Sequence, residues 1–504
     1  MADMVAKVSS VGLWGIEGYR VLCECDLAGG LPSFEVVGLP DAAVKESRDR
    51  VRAAIKNCGF DFPMRRVTVN LAPADLRKEG PIYDLPILLS ILCSAGILDP
   101  LPEKIAFVGE LSLSGELRPV NGALPMAMAA AEAGMKRIYL PTENAAEAAF
   151  AENIDVYGID TVQTLIEHIH RQRKLLPETP KRPIADAEML PDFSDVKGQD
   201  AARRAVEVAA AGRHNLLLVG PPGAGKSMIA ARIPSIMPEL TREEALECTK
   251  IHSVAGLTGH KNPLITVPPF RAPHHTVSSV GLSGGGAVPH PGEVSLAHNG
   301  VLFLDELPEY KSDALEILRQ PLENGSITIS RAAGSCEYPS DFMLVCAMNP
   351  CKCGWYGHPT HRCTCRDDAR KQYIARISGP LLDRIDMHVV VPAVKYEELN
   401  ANEPSESSAA IKARVMEARK RAEERGFASN ADMGAADIRK YCVLDKEGAA
   451  LLKAAFERMG MTARGHDRII KVARTIADLE GSREIKALHV AEAIQYRTLD
   501  RENL

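Results

Sequence analysis

The sequence has no apolar run long enough to cross a bilayer, no excess of one charge and no internal repeat or low-complexity tract. The longest nearly uncharged stretch, Leu85 to Leu98 between Asp84 and Asp99, contains Pro86 and falls short of the ~20 residues a span needs. It is read as a buried helix. Met1 to Ser10 carries Asp3 and Lys7 and lacks an apolar h-region, so no secretory signal and no membrane partner are expected, and the expected compartment is cytoplasmic. Lys and Arg number 60 against 66 Asp and Glu, a net charge of -6, so any nucleic-acid surface must be local. Twelve cysteines in 504 residues without a signal do not form a disulfide framework. Four of them crowd into Cys351 to Cys365, which points to a metal. With 25% charged and 46% hydrophobic residues the composition is globular, and at roughly 150 residues per domain it suggests about three domains.

An N-terminal block to about His170 alternates strand-like runs (Arg66–Leu71, Lys104–Val108, Arg137–Leu140) with Ala-rich helical ones, an α/β pattern. Arg171 to Pro191 is polar and carries Pro177, Pro180, Pro183 and Pro191, the best linker in the chain. A second α/β block runs from Phe193 to about Pro392. After a polar loop at Asn400 to Ser408, helical spacing recurs in Lys412–Glu424, Lys446–Met459 and Asp467–Leu479.

The apolar run Asn215 to Val219 leads into Gly220-Pro221-Pro222-Gly223-Ala224-Gly225-Lys226-Ser227, which fits G-x-x-x-x-G-K-[ST] between a strand and an Ala-rich helix. Glycines let such a loop wrap a β-phosphate with its N–H groups turned inward, and the following helix adds its positive end. Lys226 is expected to bridge the β- and γ-phosphates of ATP, and Ser227 to ligate Mg²⁺. A second run, Val301-Leu302-Phe303-Leu304, ends in Asp305-Glu306, a Walker B pattern. There Asp305 is expected to hold Mg²⁺ through water and Glu306 to polarise the attacking water.

A third strand candidate, Asp341 to Met348, ends at Asn349, where a polar side chain can orient water near the γ-phosphate. With it the chain resembles the AAA+ ATPases, in which this position is sensor 1. Gly379-Pro380-Leu381-Leu382-Asp383-Arg384-Ile385-Asp386 resembles the arginine-finger segment of the magnesium chelatase and MCM helicase branch. The resemblance implies that Arg384 enters a neighbouring subunit's site; the alternative is a surface arginine paired with Asp383 or Asp386. Thr462-Ala463-Arg464 opens a helix as the sensor 2 arginine does in that branch, with Arg468 as an alternative to Arg464. An arginine acting in trans requires a ring or similar oligomer, and a hexamer is what the family implies.

About eighty residues separate the two Walker motifs, more than a minimal core needs, and they include Phe270-Arg271-Ala272-Pro273-His274-His275 and Ser283-Gly284-Gly285-Gly286. The two histidines lack a third ligand at metal spacing and are read as structural or DNA-facing. Asn324-Gly325, followed by Ile327-Thr328-Ile329 and a small-residue tip at Ser330 to Ser335, suggests a hairpin whose Arg331 can meet a phosphate backbone. In the resemblance this is the pre-sensor 1 hairpin, which faces the central pore. Cys351-Lys352-Cys353 and Cys363-Thr364-Cys365 can supply four thiolates to a structural Zn²⁺, with His358 or His361 able to replace one. His361, Arg362, Arg366, Arg370 and Lys371 make this the most basic stretch of the block and a candidate nucleic-acid contact.

In the N-terminal block, Lys78-Glu79-Gly80-Pro81, Asp84-Leu85-Pro86, Gly109-Glu110-Leu111, Gly115-Glu116-Leu117 and Ala133-Gly134 resemble the proteolytic domain of Lon. Where the resemblance places the nucleophilic serine and the activating lysine, this chain has Ile82 and Ala127, neither of which can attack or accept a proton. Together with the stretch from Phe270 to the Walker B strand and the paired C-x-C after sensor 1, the whole chain resembles the YifB/ComM proteins, magnesium chelatase-like AAA+ ATPases.

The fold this resemblance implies is α/β: a Lon-like, proteolytically inactive domain (1–170), a linker (171–191), a P-loop AAA+ core with a parallel sheet (192–392), and a C-terminal helical lid (393–504). The function it implies is a hexameric ATPase that moves along single-stranded, forked or branched DNA and drives branch migration during natural transformation. The alternatives are a metal-chelatase motor subunit, and an ATP-dependent protease or protein remodeller that would need a nucleophile not found here. A binding protein without hydrolysis fits poorly with Lys226, Asp305, Glu306 and Arg384 all present.

Overall fold

The computed structural model describes residues 5–181, 190–258, 262–286, 289–331, 334–358, 360–394 and 405–497. Residues 182–189 of the expected linker, 332–333 of the hairpin tip and 395–404 at the start of the expected lid lie outside the described residues.

The N-terminal sheet begins with β1 (Ala6–Trp14) and β2 (Glu17–Ala28), an antiparallel pair registered from Ala6 opposite Cys25 to Trp14 opposite Glu17. It continues through β3 (Ser33–Val37), β4 (Arg66–Ala72) and β5 (Ile105–Phe107) and, after a separate two-residue ladder of β6 (Glu110–Leu111) with β7 (Leu117–Arg118), through β8 (Arg137–Pro141) and β9 (Asp155–Ile159). The order is β3-β4-β2-β1-β5-β8-β9. Helix Ala42–Asn57 starts at Asp41, whose carboxylate accepts from Val44 N–H at 2.7 Å and satisfies one of the orphan donors of the first turn. Helix Asp84–Ser94 is buried from Asp84 through Leu92, the expected buried helix. Residues that were expected to begin the linker fold back onto this sheet: Glu178 N–H donates to Val156 C=O at 2.7 Å, and Leu175 packs on the same core.

The second block holds β10 (Leu216–Val219), β11 (Phe270–Arg271), a two-residue ladder of β12 (Gly284–Gly285) with β13 (His290–Pro291), β14 (Val301–Leu304), hairpin strands β15 (Ser326–Arg331) and β16 (Gly334–Pro339), then β17 (Met343–Met348) and β18 (Met387–Val390). The central sheet, β11-β14-β17-β10-β18, is parallel throughout. Strands β10, β14 and β17 are wholly buried, which is why each reads as an unbroken apolar run without alternation. Their C-terminal ends carry the Gly220 loop, Asp305 and Asn349 to one edge, where open α/β sheets bind ligands.

Asn324-Gly325 is not part of the hairpin turn. It ends helix Arg319–Asn324, with Gly325 at φ +67°, the left-handed residue that closes a helix as readily as it makes a tight turn. The hairpin follows, with Arg331 opposite Gly334 at its last described pair.

The lid helices Ser408–Glu424, Ala435–Tyr441, Lys446–Met459, Ala463–Leu479 and Ala487–Gln495 share a core with the sheet. Ile411, Val415, Leu452, Ile469 and Ile476 belong to one apolar cluster with Val206, Leu216 and Leu218. The N-terminal block also docks on the second: Ile16, between β1 and β2, is buried in the cluster that holds Cys336 and Tyr338 of β16, and Gly122 N–H donates to Ser253 C=O at 3.0 Å. Among the described residues no helix is long and apolar enough to cross a membrane.

Candidate nucleotide site and cysteine cluster

The loop after β10 turns through left-handed glycines, Gly223 at φ +76° and Gly225 at φ +87°. At Gly220 a Cβ would stand 2.2 Å from Val391 C=O, so the strand can enter the loop there only with glycine. Lys226 begins helix Lys226–Ala230 and is buried; its ammonium donates to Gly220 C=O at 2.7 Å, Pro221 C=O at 2.9 Å and Asn349 Oδ1 at 3.1 Å. Burial lowers its pKa, and the neighbouring Asp305 and Glu306 carboxylates oppose that shift. Ser227 Oγ donates to Asp305 Oδ2 at 2.6 Å, so the hydroxyl and the carboxylate expected to share Mg²⁺ already meet. Lys226, Ser227, Asp305, Glu306 and Asn349 thus converge from the ends of three strands.

Glu306 adopts φ +53°, unusual for a residue with a side chain. Its carboxylate lies 3.2 Å from His275 Nδ1. His275 therefore lies against the carboxylate expected to polarise water, whereas His274 is exposed and bonds Thr276 at 2.9 Å. No local sequence pattern marks His275, because its role depends on the loop after β11 folding over the end of β14.

Arg384 lies at the opposite end of the sheet. Met387 pairs with Leu216, so Arg384 precedes the start of β18, whereas the Gly220 loop follows the end of β10, about 13 Å along a four-residue strand. Its side chain is 8% exposed, donates to Pro380 C=O at 2.7 Å and forms an ion pair with Glu323, rather than with the nearby Asp383 or Asp386. Burial lowers its pKa, and Arg319 and Arg464 lie close enough to add to that. Arg464 is exposed at the start of helix Ala463–Leu479, while Arg468 is engaged with Asp386 at 3.0 Å. A cavity of about 450 Å³ lined by Arg213, Glu323, Arg384, Arg468 and Lys471 opens here. Both arginines expected at a nucleotide therefore stand away from this subunit's own phosphate loop.

The four cysteines come together. Cys351, Cys353 and Cys363 have Sγ separations of 3.4, 3.7 and 3.6 Å, and the four sulfurs, Cys365 included, lie within 4.8 Å of one another. A tetrahedron with metal–sulfur bonds of ~2.3 Å has edges of ~3.8 Å, so the donors fit a Zn²⁺-sized ion. His358 and His361 pack against Trp355 at 5.1 and 4.2 Å, apart from the thiol cluster. Arg362, Arg366 and Lys371 are exposed, and Arg370 stacks on Tyr356 at 3.7 Å. In the N-terminal block Ile82 packs on the apolar cluster that contains the buried Ala127, so both places expected of a dyad carry hydrocarbon side chains at one core.

Comparison with known proteins accords with this geometry. The family described as magnesium chelatase, subunit ChlI, matches residues 192–399, its C-terminal region matches 405–497, and subunit ChlI of Mg-chelatase matches 23–144. The uncharacterised protein YifB of Salmonella typhimurium is 43% identical over 502 residues, 99% of this chain and 98% of that one. The competence protein ComM of Haemophilus influenzae is 41% identical over 505 residues, covering 99% and 98%. The chain belongs to the YifB/ComM family of magnesium chelatase-like AAA+ proteins. An archaeal Lon protease from Thermococcus kodakarensis is 28% identical over 137 residues, 26% of this chain and 21% of its own. This chain is thus a P-loop ATPase using ATP and Mg²⁺, with Lon-like homology in part of its length.

Proposed function

We propose that this ATPase is a ring-forming, hexameric cytoplasmic motor that moves on single-stranded, forked or branched DNA and promotes branch migration in recombination during natural transformation. The observation that carries it is the position of Arg384 and Arg464 at the sheet end opposite Lys226. Arginines there serve a nucleotide only if it is bound by a neighbouring subunit, so each site is completed across a heterologous interface. Arg384 would exchange Glu323 for the γ-phosphate of that neighbour. Within each subunit Lys226 and the Gly220 to Ser227 loop hold the phosphates, Ser227 and Asp305 hold Mg²⁺, Glu306 orients water and Asn349 assists it. The DNA assignment is supported by the exposed Arg362, Arg366 and Lys371 beside the cysteine cluster, and by the name of the ComM relative, a competence protein. Cys351, Cys353, Cys363 and Cys365 are assigned to a structural Zn²⁺.

The test is the ATPase rate with and without single-stranded, forked and four-way DNA at fixed salt, comparing the intact protein with Glu306→Gln and Arg384→Ala. DNA stimulation of the intact protein, lost in both variants, is expected. Turnover indifferent to every DNA would overturn the DNA motor, and recovery of a porphyrin-binding partner would then favour a chelatase motor subunit.

A further inference from the structure

The cysteine cluster is built against the phosphate-binding loop. Asn349, just upstream of Cys351, accepts a hydrogen bond from Lys226 at 3.1 Å. Gly354, between the two cysteine pairs, is buried at φ +84°, and a Cβ there would stand 2.6 Å from Pro222 Cδ and 2.7 Å from Pro222 Cγ. Gly354 N–H donates to Cys351 C=O at 2.9 Å, which ties its position to a member of the cluster. Pro222 is itself an exposed member of the Gly220 to Ser227 loop.

We propose that the metal held by Cys351, Cys353, Cys363 and Cys365 is a strut for the nucleotide site: it fixes Gly354 against Pro222, so metal occupancy sets the affinity for ATP. The proposal rests on the assignment of the four cysteines to Zn²⁺. Four thiolates converging on one ion fix a loop whose described residues between Cys351 and Cys365 form no helix or strand. Without the ion, like-charged or protonated sulfurs have no reason to stay together, and the Gly354 wall behind Pro222 is released. A phosphate loop works by placing several N–H donors at once, and a displacement of about 1 Å is enough to weaken such an arrangement severely. Gly354 and Pro222 are therefore positioning residues, acting through the loop and not on the phosphate.

The test measures zinc content and the Kd for a fluorescent ATP analogue on the full chain. Measurements are made as purified, after a zinc-selective chelator in excess Mg²⁺, and after Zn²⁺ is returned. One equivalent of zinc, a Kd weakened about tenfold on stripping, and recovery on return are expected. A chain that takes up no zinc when it is supplied would overturn the metal assignment and the strut with it. Bound zinc whose removal leaves the Kd unchanged would overturn the strut alone. A pair of variants separates contact from backbone strain: Gly354→Ala and Gly357→Ala both burden a left-handed residue, at φ +84° and +75°, but a Cβ at Gly357 meets nothing within 4 Å. Zinc retained in both, with only Gly354→Ala weakened in ATP binding, is the expected result. Equal affinity in the two would overturn the contact between Gly354 and Pro222 as the route.

Discussion

Glu306 is drawn between two tasks. Water activation needs its carboxylate free toward the γ-phosphate, yet His275 Nδ1 engages it at 3.2 Å. The pair is half exposed, with side-chain exposures of 30% and 54%, so its worth is that of a solvent-screened contact, up to about 1 kcal/mol. His275→Ala is therefore expected to raise basal ATP turnover by up to about fivefold while leaving ATP affinity unchanged. Steady-state turnover and a nucleotide titration check this; a variant with reduced turnover would mean that His275 aims the carboxylate instead of restraining it. The residues of the phosphate loop were legible in the sequence because their requirement is local: glycine where φ is positive, lysine at the helix start, a buried strand before them. His275 was not, since nothing at positions 270 to 275 encodes the end of β14 that folds beneath it.

At the scale of elements, the lid and the sheet are sealed by buried histidines. His214, fully buried, bonds Thr475 of helix Ala463–Leu479 at 2.8 Å, and burial pushes its pKa down to about 4. His388, in β18, is pushed down to about 3, again by burial, with Arg497 and Arg468 adding to it. Both folded-state values lie below the ordinary value near 6.5, so as pH falls the unfolded chain binds these protons first. Stability from this source is full above pH 6.5 and is lost as pH falls from there toward the folded values. Urea melts at pH 7.5 and pH 5 are expected to differ by about 2 kcal/mol per buried histidine, and His214→Gln, which can keep the bond to Thr475, is expected to remove its share. A pH slope unchanged in His214→Gln would sink this account. The elements themselves were unevenly legible. Helix Lys446–Met459 follows its spacing because one face packs on the lid core, whereas β1, with residues 8–12 all buried, shows no alternation to read. Asn324-Gly325 misleads because a helix end and a hairpin turn demand the same left-handed backbone.

For the whole molecule, the decisive relation is between the two ends of the parallel sheet. Sequence order alone places Arg384 well after Lys226, and only the register of β18 on β10 puts it at the far edge, paired with Glu323 from a helix 61 residues away in sequence. If catalysis joins the Lys226 edge of one subunit to the Arg384 edge of the next, damage to the two edges is complementary. Lys226→Ala and Arg384→Ala are each expected to be inactive in ATP hydrolysis. Mixed at equal ratio and allowed to exchange subunits, they are expected to recover turnover, because roughly a quarter of randomly formed interfaces join an intact loop to an intact arginine. Sites contained within single subunits would give no recovery at any ratio, since every subunit then carries one lesion. Recovery that grows with time of mixing, and is absent when Lys226→Ala is mixed with a Lys226→Ala, Arg384→Ala double variant, would locate the catalytic site between neighbours.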